Sequence, residues 1–222
     1  MKSSTKVLLL EIAASNLVAG ARFLGQVQGW IPTTSGGGLH PLGVSWLPFV
    51  FGPVFAARLA REGSAPRWRR ARLLGVAGLV AIVVVVMWKF APIADLPKDA
   101  PGLQEATNSA LLAAFAATLT VTALHCALWW RLVFAIVCYA VPVRLVVLAL
   151  TAVAKQMEYD THYTKFGPAG NEFDLYTTVT TAAVAQLGFW VPFAVVCGFA
   201  SGTFFARSQE PRSETAARHS SD

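Results

Sequence analysis

Arg144 stands inside the apolar stretch 132–155, two residues after Pro142. A guanidinium keeps its proton in proteins and presents five donors, so within an apolar segment it calls for an anion, a polar group or unbonded carbonyls. Leaving that charge in lipid would cost at least about 2.5 to 3.5 kcal/mol, and Arg144 is therefore expected to face the interior of a helix bundle. Pro142 lacks the amide hydrogen that would bond the Cys138 carbonyl, which sets a backbone acceptor close to a fixed cation. The pair predicts a kinked, polar midpoint that binds a ligand or ion. A structural arginine bonded to freed carbonyls is the alternative.

Glu11, Asn16 and His125 also lie in apolar segments. At 1.5 Å per residue, Asn16 sits about 15 Å along a helix from Lys6, level with Arg144, whereas Glu11 sits about 7 Å along, level with His125. The depths predict two polar layers, Asn16 with Arg144 and Glu11 with His125. Glu11 is the one carboxylate in any apolar segment, so it must meet a cation or hold a proton. Its chemistry with His125 would be a proton relay; a buried hydrogen bond fixing helix register is the alternative. Arg144, Asn16, Glu11 and His125 form the expected ligand-binding set.

A second group lies between apolar stretches: Glu158, Tyr159, Asp160, Thr161, His162 and Tyr163, then Asn171, Glu172 and Asp174. In an extended strand Glu158, Asp160 and His162 would project to one side as oxygen and nitrogen ligands. Their spacing matches no zinc or calcium motif, so an acidic, solvated loop is the plainer reading and no metal is expected. Phe166, Gly167, Pro168 and Gly170 read as a tight turn that folds this loop back onto the helix mouths.

The elements that would position these residues follow from composition. The chain has 222 residues, is 55% hydrophobic and 14% charged, and has a mean hydropathy of +0.53. Those values place it among integral membrane proteins rather than soluble domains. Cys126, Cys138 and Cys197 fall within apolar stretches, so no disulfide framework is expected. The reading is an all-α bundle of about six transmembrane helices at 6–25, 42–59, 73–91, 108–128, 132–155 and 184–206. A disordered cytoplasmic tail covers 208–222. Glu11 and Asn16 interrupt the first stretch too early for a signal-peptide core, which keeps it as a helix. Pro48 and Pro53 bend the second, and the short connection around Trp129, Trp130 and Arg131 makes the fourth and fifth an antiparallel hairpin.

Charge sets the orientation. Six spans place Lys2, Lys6, Arg58, Arg61, Arg67, Arg69, Arg70, Arg72, Arg131, Arg207, Arg212 and Arg218 on one side, and Lys89, Lys98, Lys155 and Lys165 on the other. The positive-inside rule then predicts both termini in the cytoplasm, in a bacterial inner membrane. The basic residues serve topology, and no nucleic acid is expected as a partner. Trp46, Leu47, Pro48, Phe49 and Trp190, Val191, Pro192, Phe193 are locally alike, a hint of two related hairpins. Gly198 and Gly202 form a G-x-x-x-G pair that suits close packing within the chain.

The chain lacks H-E-x-x-H, G-x-S-x-G and Walker A signatures. With His125 on one side and His40 and His162 on the other, intrachain bis-histidine haem is also disfavoured. The sequence points away from an enzyme and to no cofactor. The leading expectation is a small-solute binding or transport protein with a polar intramembrane cavity, its partners the bilayer, a solute and a homodimer or membrane protein. An accessory subunit of a larger membrane complex is the second reading, and an intramembrane enzyme the third.

Overall fold

The computed structural model describes residues 3–33, 40, 42–64, 66, 68–94, 96–97, 100–165 and 173–205. The tail 208–222 and the turn at 166–170 lie outside the described residues. Helices hold 82% of the described residues, which include no strand. They are α1 (Ser3–Val27), α2 (Leu47–Arg61), α3 (Trp68–Ala94), α4 (Leu103–Gln156), α5 (Leu175–Ala183) and α6 (Val191–Phe205), with a π-helical segment, Val184–Trp190, joining the last two. Four helical runs are long and apolar enough to cross a membrane: Thr5–Val27, Trp68–Ile93, Leu103–Gln156 and Leu175–Phe205. At 15 residues, or about 22 Å, α2 is shorter than these.

Local chemistry explains the boundaries. Pro48 lies in the first turn of α2, where a missing amide hydrogen costs nothing. Asp174 caps α5 by accepting a 2.7 Å bond from the Thr177 amide. Within α4 the backbone leaves helical geometry at Trp129 (φ −156°, ψ 75°). The Trp129 indole is pinned there, donating to Ser64 Oγ at 3.2 Å and meeting Trp68 edge-on at 5.4 Å. The helix continues through Pro142, and the one residue with non-helical backbone inside it is Trp129, at the expected hairpin connection.

The contacts of α6 show that the chain reverses at Trp129. Before it, Phe115 meets Gly188, Thr122 bonds the Pro192 carbonyl and His125 stacks on Phe199, both numbers rising together. After it, Ile136 meets Gly198 and Arg144 meets Gln186, one number rising as the other falls. The two halves of α4 are therefore an antiparallel hairpin.

Nearly every residue of α6 is buried, and it occupies the centre of the bundle between α2, α3 and α4. On α2, Gly52 fits against it so closely that a Cβ would collide with the Gly198 carbonyl oxygen and stand 2.7 Å from Ser201 Oγ. The G-x-x-x-G pair is thus spent on packing within the chain. At the periphery, Val76, Val80, Val83, Val84 and Met87 of α3 remain exposed, an apolar face suited to lipid. Along the second half of α4 packs α1, with Ser15 beside Tyr139.

Candidate functional site

Arg144 points into the bundle with 4% of its surface exposed. Its guanidinium donates to Gln186 Oε1 at 3.1 Å and to Ser45 Oγ at 3.2 Å, and it lies 5.1 Å above the Trp190 ring. All these partners are neutral, and neither ion pair among the described residues includes Arg144. Three elements converge to hold it: α4, the non-helical approach to α2 and the π-helical segment. A π-helix widens the turn and re-aims side chains, and here Gln186 and Trp190 both reach one guanidinium from the same seven residues.

Above this centre, residues 157–165 fold onto the end of α1. His162 donates from Nδ1 to Gln26 Oε1 at 2.6 Å, which fixes the tautomer because an amide oxygen only accepts. Gln26 in turn donates to the Pro32 carbonyl at 3.2 Å, and the Tyr163 hydroxyl donates to the Ala19 carbonyl at 3.3 Å. Phe23 packs against both Tyr159 and Tyr163. Outside this layer, Lys165 pairs with Asp160 at 3.0 Å and donates to Thr33 at 2.9 Å, while Thr33 donates to Asp160 at 3.2 Å.

The electrostatics follow from burial. The His162 imidazole is pushed down from 6.5 to about 3 by burial, with the positive charge of Arg22 and the neighbouring His40 adding to it. Burial raises the Tyr163 phenol to about 12, opposed by Arg22 and Arg144, so this hydroxyl lies within the field of both arginines. The Asp160 carboxyl is held below its usual range, chiefly by the hydrogen bond from Lys165.

The two expected polar layers do not form. Asn16 Oδ1 has no hydrogen-bond partner, and Arg144 bonds Gln186 and Ser45 instead. His125 lies on the other side of the bundle, stacked on Phe199 at 4.1 Å, with Gly78 of α3 against its Nε2 and no hydrogen-bond partner on either ring nitrogen. The Glu11 main-chain carbonyl accepts from Ser15, which bonds Tyr139, and its carboxyl lies in the field of Arg58. Depth along a helix places two residues at one level without bringing their faces together. Glu11 lies on α1 beside the second half of α4, whereas His125 belongs to the first half and packs against α3 and α6.

Glu158, Asp160 and His162 also diverge. Asp160 turns to Lys165 and Thr33, His162 turns inward to Gln26, and Glu158 adopts φ 55°, which breaks the extended geometry that would align all three. Among the described residues no group of three His, Cys, Asp or Glu converges to hold a metal. Sequence reasoning missed Ser45, Gln186, Trp190, Arg22 and Gln26. Arg22 and Gln26 carried a signal, since both are strongly polar residues at the end of an apolar stretch. No family model, curated protein or solved structure matches this chain.

Proposed function

We propose that the chain is a six-span protein of the bacterial inner membrane, with both termini cytoplasmic, that binds a small organic anion at Arg144 and passes it across the bilayer. The carrying observation is a guanidinium buried to 4% exposure and bonded only by neutral side chains. A buried charge is stable when paired, and a carboxylate is the group whose geometry matches the guanidinium fork. Ser45 and Gln186 would orient the anion, and Trp190 would supply a flat apolar wall for its carbon skeleton. The local likeness of 46–49 and 190–193 suits a transporter reading, because internal repeats are a common way to build alternating access.

The test uses full-length protein in lipid nanodiscs and follows thermal unfolding with acetate, benzoate and inorganic phosphate as probes. At least one should raise the unfolding midpoint of the wild type and leave Arg144→Gln unmoved. Wild type unresponsive to all three, or a variant that responds equally, would overturn the reading. Each charge-assisted bond lost should weaken binding by about 1.5 to 3 kcal/mol.

A further inference from the structure

We propose that Glu11 is a proton-exchanging site served from the arginine-rich end of the bundle, distinct from the Arg144 centre, with the Tyr139 hydroxyl lying in the field of both. Only the coupling between the two rests on the anion-binding reading; the proton site stands on its own geometry.

Glu11 is 5% exposed, and its Oε2 has no hydrogen-bond partner. An ionised carboxylate in such a place would leave a charge unsolvated, whereas the acid form leaves one neutral hydroxyl and needs far less from its surroundings. The site therefore favours a group that takes up and releases a proton. A cleft of about 110 Å³ opens one helical turn away along α1, lined by Leu8, Phe55, Arg58, Leu59, Glu62 and Ala135. Leu8 precedes Glu11 by three residues and so lies on the same face of α1. The cleft wall is mostly apolar, and the polar groups on it are Arg58 and Glu62, which pair at 3.5 Å while Arg58 acts electrostatically on Glu11.

On the inner side, Ser15 donates to the Glu11 carbonyl at 2.8 Å and bonds the Tyr139 hydroxyl at 2.7 Å. Tyr139 is fully buried between Phe51 and Phe55 and lies within the field of Arg144, five residues further along α4. The charged and titratable groups facing Glu11 are thus Arg58 and Glu62 from α2 and Tyr139 from α4, with Arg144 beyond. In the exchange, a hydronium arriving from the arginine-rich end gives its proton to a Glu11 carboxylate oxygen and leaves as water; the reverse step returns it. No other bond changes. Protonation removes the negative charge that Tyr139 senses, and Tyr139 lies in the field of Arg144, which would couple the proton to the anion.

Dicyclohexylcarbodiimide tests this, because it modifies protonated carboxyls shielded from water. Full-length protein in proteoliposomes should acquire one adduct on the peptide containing Glu11 at mildly acidic pH, lost as the pH is raised to alkaline and absent in Glu11→Gln. Exposed Glu62 should stay unmodified in the same sample. Tyr139→Phe should keep the adduct and shift the pH at which it is lost. No adduct on Glu11 at any pH, a yield independent of pH, or protection by sodium ions would overturn the proposal, the last in favour of a metal cation. If the adduct behaves as expected while Arg144 shows no anion response, the proton site stands and the anion reading fails alone.

Discussion

At the scale of single residues, charge in an apolar setting is easily read and its partner is not. Arg144 and Glu11 were identifiable because any ionisable group in such a stretch must be accommodated. Their neighbours were hidden, since Ser45 and Gln186 are ordinary polar residues far away in sequence, and only tertiary contact brings them to the guanidinium. His162 carries a prediction of its own. Its acid strength in the fold, at about 3, lies below the ordinary 6.5, so the unfolded or undocked segment takes a proton first as the pH falls. The docking of 157–165 is fully supported above pH 6.5 and loses support progressively between 6.5 and about 3. Hydrogen exchange of this segment should accelerate across that window. His162→Gln should flatten the response, and Lys165→Ala, which removes only the outer pairing, should preserve it.

Between residues and fold, the elements divide into those announced by pattern and those imposed by packing. The helices and the Trp129 hairpin followed from apolar length and from a connection too short for anything else. The π-helical segment did not, because Val184–Trp190 has no composition that separates it from an α-helix; its widened turn belongs to the packing around Arg144 and Gln186. Nor did Pro142 end its helix, although proline removes a hydrogen bond wherever it falls. Packing sets a sharp limit at Gly52. Since a single added methyl would strike the backbone of α6, Gly52→Ala should destabilise the folded protein by about 1 to 3 kcal/mol, measured by thermal unfolding in detergent. Ser201→Ala, which removes an atom from the same contact, should leave stability within about 1 kcal/mol.

Considered as a whole, the molecule has two chemically different ends. One gathers Arg58, Arg61, Arg69, Arg70 and Arg131, while the other carries Lys155 and Lys165 among Glu105, Glu158, Asp160 and Asp174. In a variant free of Cys126, Cys138 and Cys197, a membrane-impermeant maleimide added to intact cells should label Glu105→Cys and Glu158→Cys and spare Glu62→Cys and Arg131→Cys. The reverse pattern would invert the orientation, and mixed labelling would break the six-span path. The short α2 has a consequence at this scale. Phe49, Val50 and Val54 leave part of that helix exposed, yet it offers only about 22 Å of length, against about 40 Å for α3. Acyl chains around the perimeter would therefore meet walls of unequal height, thinning beside α2 and standing full beside α3. Such a body is tuned to bilayer thickness, and lengthening the lipid tails of a reconstituted membrane should stress it at α2 before any other helix.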